Sequence, residues 1–148
     1  MQIRKAKLLD SEDILNWRND FSSRKMFIEN YLISKQEHKD WYTNKLKDKD
    51  CYMFIGEKDK NKVGIVRFNY NFNDLNYLVS INVNPKMRGL GLSYDLLSLS
   101  IRKVPHFKKS SFVAAIKKEN IISKKIFTKC GFKLKLVEDK YDYYLLKF

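Results

Sequence analysis

Apolar positions recur along this chain in two rhythms, and the changes between them mark out its elements. Asp10-Ser11-Glu12-Asp13 precedes an apolar stretch through Ile14, Leu15 and Trp17, and acidic residues placed so mark a helix start. Ser34-Lys35-Gln36-Glu37 has capping-box spacing and predicts a second helix carrying His38, Trp41, Tyr42 and Leu46. The period then falls to two. Residues 52–57 and 63–70 predict strands joined by the polar turn 58–62, and Tyr77, Val79, Ile81 and Val83 alternate with Leu78, Ser80, Asn82 and Asn84 as a further strand that Pro85 ends. Leu90, Tyr94, Leu97, Ile101 and Val104 predict one face of a helix. Residues 111–116 read as a strand. Residues 120–130 read as a helix with Ile122, Ile126 and Cys130 in line and Gly131 as its stop. Residues 132–137 and 141–148 close the chain as a hairpin. With a strand at the start, the order is strand, two helices, three strands, helix, strand, helix, two strands. That order predicts an α/β or α+β sheet protein with helices on both faces.

Composition agrees with a folded core: 44% of the 148 residues are hydrophobic and 14% aromatic. The length suits a single domain, 1–148. A net charge of +13 favours anionic partners, whether nucleic acid, an anionic membrane or a phosphate-bearing small molecule, although the lysines are scattered as in a Lys-rich proteome. Cys51 and Cys130 form no CxxC pair and there are only two histidines, which offers little for zinc; no metal is expected. Two lone cysteines read as buried thiols in a reducing compartment. The first ten residues lack the apolar core of a signal peptide, and no run approaches the ~20 apolar residues of a spanning helix. A cytoplasmic protein without membrane contact is expected.

The segment richest in chemistry is Val83-Asn84-Pro85-Lys86-Met87-Arg88-Gly89-Leu90-Gly91-Leu92-Ser93, where a strand gives way through a basic, Gly-containing loop to a helix. The first turn of a helix offers unpaired N–H groups and a positive dipole end. Glycine lets a ligand approach the backbone closely. Together these make a phosphate cradle. It has neither GxGxxG nor the Lys-Ser/Thr of a P-loop.

The spacing Arg88-x-x-Gly91-x-Ser93 resembles the pyrophosphate loop of the GNAT superfamily, Gln/Arg-x-x-Gly-x-Gly/Ala, with Ser93 in the last small position. Downstream, Asn120, Ser123, Ile126, Phe127, Gly131 and Phe132 are similar to the second signature of that family. The resemblance covers the whole chain, because the order of elements matches too. It implies an α/β GNAT fold, a central mixed and mostly antiparallel sheet of about seven strands with helices on both faces. It further implies acetyl-CoA as cofactor, held by Ile81, Val83, Arg88, Gly89, Leu90, Gly91, Leu92, Ser93, Asn120, Ser123 and Phe127. In such enzymes a neutral amine attacks the thioester directly, and backbone N–H groups where the strand splays, here near Asn82 and Val83, polarise the carbonyl. Glu57, His38, or a water held by Ser80 or Asn82 are the candidates for the base. The family often has Tyr, the acid for the leaving thiolate, where this chain has Phe127. Tyr94, Tyr141, Tyr143 and Tyr144 are alternative donors, and a thiolate of pKa ~8.5 can also leave unaided.

The N-terminal half should choose the acceptor. Trp17-Arg18-Asn19, Arg24, His38-x-x-Trp41 and Arg67-Phe68 resemble the GNAT branch that acetylates nucleotide-linked amino sugars in pseudaminic and legionaminic acid (nonulosonate) synthesis. The resemblance implies an anionic small-molecule acceptor such as a UDP-4-amino sugar. Arg18, Arg24 and Arg67 are candidates to hold its diphosphate and Trp41 or Phe68 to stack on a base or sugar, with Asn19 and His38 alongside. The same features also occur in GNAT enzymes that acetylate protein N-termini or antibiotic amines. An aminoglycoside site should be acidic, which the basic charge disfavours. Outside catalysis, a basic nucleic-acid-binding module and a catalytically dead GNAT-fold regulator are the rivals. The module lacks helix-turn-helix, RNP-like and zinc-ligand patterns, so nucleic acid is not expected. Oligomeric state stays open, with a homodimer as one option.

Overall fold

A computed structural model describes residues 1–105 and 110–147. Seven strands form one sheet in the order β1-β2-β3-β4-β5-β7-β6. The strands are β1 (Gln2–Lys5), β2 (Cys51–Lys58), β3 (Asn61–Asn71), β4 (Asn76–Val83), β5 (Ser111–Lys117), β6 (Lys133–Val137) and β7 (Tyr141–Leu146). Every neighbouring pair is antiparallel except β4–β5, so the sheet is mixed and mostly antiparallel, as expected. The helices are α1 (Ser11–Asn19), α2 (Phe21–Met26), α3 (Lys35–Lys47), α4 (Ser93–Ile101) and α5 (Ile121–Lys129).

Strand alternation sorts the core into two layers. On one face Ile14 and Trp17 of α1 and Tyr42 of α3 pack on Met53, Ile55 and Ile65. On the other, Leu96 and Leu97 of α4 and Phe127 of α5 pack on Phe54, Val66, Phe68, Val79 and Phe112. Among the described residues no helix is long and apolar enough to cross a membrane.

Four local expectations change. Helix α2 is additional; Asp20 caps it by accepting from Ser23 N–H at 3.1 Å. Helix α4 begins at Ser93 because Gly89 and Gly91 hold φ of 74° and 71°, outside helical space. Leu90 is therefore a solvent-exposed loop residue; of the expected face Leu97 is buried beside Leu96 and Ser100, Tyr94 and Ile101 are half-buried, and Val104 is buried beyond the helix end. On α5, Ile122 is exposed and Phe127 is the buried residue. The capping box is half made: Ser34 Oγ accepts from Glu37 N–H at 3.1 Å, but the Glu37 carboxylate takes the Tyr31 hydroxyl at 2.9 Å. Of the expected last strand, Phe148 lies outside the described residues.

A splayed strand pair and two adjoining cavities

The site begins with a failure of pairing. β4 stays in register with β3 from Asn71↔Asn76 to Gly64↔Val83, but it meets β5 only as far as Leu78↔Val113. The two parallel strands therefore part from Val79 onward, earlier than the Asn82–Val83 expected from sequence. Asn84 N–H donates to Val63 O across β3 at 2.8 Å. Alternation then turns the N–H and C=O groups of Val83 and Ile81 the other way, into the gap. Val83 O accordingly accepts from Arg88 at 3.4 Å.

Two cavities meet over this gap, sharing Met26, Phe27, Ala115 and residues 79–82 as walls. The smaller, about 360 Å³, runs from the loop before α4 along α5. Its walls include Ile81, Val83, Arg88, Gly89 and Ser93, then Asn120, Ser123, Ile126 and Phe127. Helix α4 has no side-chain cap, so its first N–H groups are free for an anion. A Cβ at Gly89 or Gly91 would meet no heavy atom within 4 Å; the loop needs glycine for its positive φ and leaves open space above it. Arg88 is the one ionisable group lining this cavity among the described residues. Its Nη1 donates to Asp20 Oδ2 at 2.9 Å and its Nη2 to Ser23 Oγ. Asn120 caps α5 by accepting from Ser123 N–H at 3.1 Å. Phe127 is buried edge-on against Phe132, 4.9 Å between centroids. Leu92 belongs to the core, and Leu90 and Gly91 do not line the cavity.

The larger cavity, about 470 Å³, lies on the α1–α3 face and is lined by aromatic rings, two arginines and two glutamates. Arg18 stacks over Phe27 at 4.4 Å, donates to Glu29 O, and leaves Nη1 buried and unpartnered. Arg67 stacks over Trp41 at 5.0 Å and leaves Nε buried and unpartnered. Among the described residues neither makes an ion pair. Burial lowers both guanidinium pKa values; at Arg18 the charges of Tyr31, Glu29 and Glu37 oppose the shift, and at Arg67 Cys51 opposes it while Arg18 adds to it. His38 is almost fully buried and stacked on Tyr42 at 5.5 Å. Burial lowers its pKa, and a hydrogen bond to the Ser11 backbone opposes the shift. Its Nε2 is buried without a hydrogen-bond partner. Glu29, Tyr31 and Glu37 complete the mouth.

Ser80 and Asn82 sit where the cavities join, with Asn82 Oδ1 accepting from Ser23 Oγ at 3.1 Å. Other expected residues lie elsewhere. Glu57 pairs with Arg4 at 2.7 Å on the β1–β2 side, away from both cavities. Phe68 is core, edge-on to Phe54 and Phe112; as Arg67's neighbour in a strand it must face the opposite way. Asn19 clamps the Ile33 backbone through both amide atoms, at 2.8 and 2.9 Å, and is structural. Arg24 lies over Phe21 and lines neither cavity. Tyr94 carries Lys129 over its ring at 4.4 Å, and it lines neither cavity, as is true of Tyr141, Tyr143 and Tyr144. Cys51 and Cys130 are free and half-buried, and burial pushes the Cys130 thiol up to about 11. Sequence reasoning missed Asp20, Ser23, Met26, Phe27 and Tyr31. The Asp20-x-x-Ser23 cap spacing was the available signal for the first two.

Comparison with known proteins agrees with this geometry. The family model described as acetyltransferase (GNAT) domain matches residues 1–133. No curated protein matches the chain significantly. Among solved structures, spermidine N-acetyltransferase from Vibrio cholerae, in complex with CoA and spermine, superposes with a TM-score of 0.82 at 20% identity, over 97% of this chain and 92% of that one. Ribosomal-protein-alanine N-acetyltransferase from Brucella melitensis gives 0.83 at 20% identity over 100% of both chains. N-acetyltransferase PseH from Campylobacter jejuni gives 0.72 at 16% identity, over 99% and 96%. Identities this low establish the shared fold alone, and the family match carries the assignment: the chain belongs to the acetyltransferase (GNAT) domain family and is an acetyl-CoA-dependent N-acetyltransferase.

Proposed function

We propose that the enzyme acetylates the amine of a nucleotide-linked amino sugar of the UDP-4-amino-sugar type, for bacterial surface-glycan (nonulosonate) synthesis in the cytoplasm. One observation carries this reading: Arg18 and Arg67 line the acceptor-side cavity, with Glu29 and Glu37 at its mouth, and among the described residues neither arginine forms an ion pair. Guanidinium groups with buried, unpartnered nitrogens attract phosphate. Phe27 and Trp41 offer flat faces for a base or sugar ring. The fold shared with PseH agrees with the reading.

Acetyl-CoA fits the smaller cavity. Its pyrophosphate would meet the uncapped N–H groups of α4, Gly89 and Arg88, and its pantetheine arm would run between β4 and α5 past Asn120, Ser123 and Phe127. It supplies the thioester. The N–H groups of Ile81 and Val83, freed by the splay, are the donors available to the carbonyl oxygen. His38 takes the proton of the acceptor ammonium at Nε2, which has no partner within the protein. No tyrosine, histidine or carboxylate lines the thiolate side among the described residues, so the thiolate leaves unaided.

A free-thiol release assay with acetyl-CoA tests the acceptor, comparing UDP-4-amino sugars, peptides with free N-termini and polyamines. Turnover confined to the sugar nucleotides is expected. Turnover confined to peptides would replace the reading with N-terminal protein acetylation, and preference for polyamines would overturn it. The same assay across pH tests His38: His38→Gln should lose the acidic limb of kcat/KM, and an unchanged profile would dismiss it as base.

A further inference from the structure

Arg88 is the side chain the cofactor loop offers to pyrophosphate, yet its donors are occupied. A guanidinium has five N–H donors and grips phosphate best through two on one edge. Here Nη1 serves Asp20 Oδ2 at 2.9 Å, and Nη2 serves both Ser23 Oγ and Val83 O. One Nη1 hydrogen and Nε–H remain, and they do not share an edge with a second free donor. A bidentate grip therefore requires Arg88 to leave Asp20 and Ser23.

The partners are not incidental. Asp20 is the N-cap of α2, and Ser23 Oγ passes the contact on to Asn82 Oδ1 at the strand splay. We infer that Asp20 is a positioning residue that competes with the cofactor pyrophosphate for Arg88, holding the arginine against α2 when the cofactor is away. The tie weakens acetyl-CoA and CoA alike and so favours release of CoA after transfer, a step that limits turnover in many enzymes. The inference rests on the reading of the loop before α4 as the pyrophosphate site.

The test is calorimetric titration with CoA of wild type, Asp20→Asn, Arg88→Ala and the double variant. Asparagine still caps a helix, so α2 keeps its N-terminus while the ion pair is lost. Exposed ion pairs have the strength to make Asp20→Asn bind CoA roughly two- to fivefold tighter in the wild-type background. In the Arg88→Ala background the same substitution should change nothing. Weaker or unaltered binding in Asp20→Asn would overturn the competition, as would equal tightening in both backgrounds, which would mean only the loss of a negative charge near a polyanion. Failure of Arg88→Ala itself to weaken CoA binding would instead remove the reading of the loop, a separate and recognisable result.

Discussion

Two neighbouring residues of β3 show what single side chains decide. Arg67 and Phe68 were expected at one ligand, but strand alternation sends them to opposite faces, and only Arg67 reaches a cavity. That rule was available from sequence; which face carried the larger cavity was not, because it depends on α1 and α3 covering one side. Among the described residues Arg67 has no counter-ion, and its Nε is enclosed, so it costs the fold stability. Arg67→Met should accordingly raise the thermal midpoint while raising the acceptor KM by about tenfold or more, the worth of a charge-assisted hydrogen bond, and CoA affinity should not move. An unchanged acceptor KM would leave Arg67 without a binding role. Phe127 was legible as a departure from Tyr, but its burial against Phe132 depends on how α5 meets β6 and was not.

At the scale of elements, long periodic segments were readable and short capped ones were not. The strands β2, β3 and β4 and the loop into α4 follow from alternation and from Pro85 and the glycine pair. Helix α2 was missed because six residues hold too few turns to show a period, although it forms the wall between the cavities. The start of α1 illustrates a cap diverted: Asp10 does not cap the helix but accepts from Arg4 at 2.8 and 2.9 Å, from Lys7 N–H at 2.8 Å and pairs with Lys62 at 2.9 Å. This ties β1, α1 and β3 together. Burial pushes the Asp10 pKa up, but Arg4, Lys62 and Lys7 hold it well below the carboxylate range. Its folded value being depressed, its stabilisation is present above the unfolded pKa of ~3.9 and is lost as pH falls below it. His38 acts in a higher window. Its folded pKa is also lowered, so the unfolded chain takes up the proton first and stability falls from about pH 6.5 downward, by at most about 1.4 kcal/mol per pH unit. Urea unfolding between pH 7.5 and 5.5 should show that slope in wild type and a shallower one in His38→Gln; identical slopes would mean the imidazole is not held neutral.

Across the whole molecule, the splay of β4 from β5 sets the two cavities against each other at Ser80–Asn82, where the proposed acceptor amine and thioester would meet. Sequence order foretold the sheet but not the residue where pairing stops, since that depends on register between strands far apart in the chain. Net charge is the remaining global property. The chain carries +13, and part of it is locally neutralised, as where Lys118 and Lys124 both pair with Asp142 at 2.9 and 2.8 Å. If the rest steers a polyanionic cofactor, it acts on the encounter and is screened within a Debye length of about 8 Å at physiological salt. Dissociation, governed on the proposed reading by short-range contacts at Arg88 and the α4 N-terminus, is screened much less. Stopped-flow binding of CoA should therefore show an association rate constant that falls several-fold between about 25 and 300 mM salt while the dissociation rate changes by less than about twofold. A flat association rate would mean that the lysines reflect composition alone, and that the cofactor is recognised only once it has reached the loop.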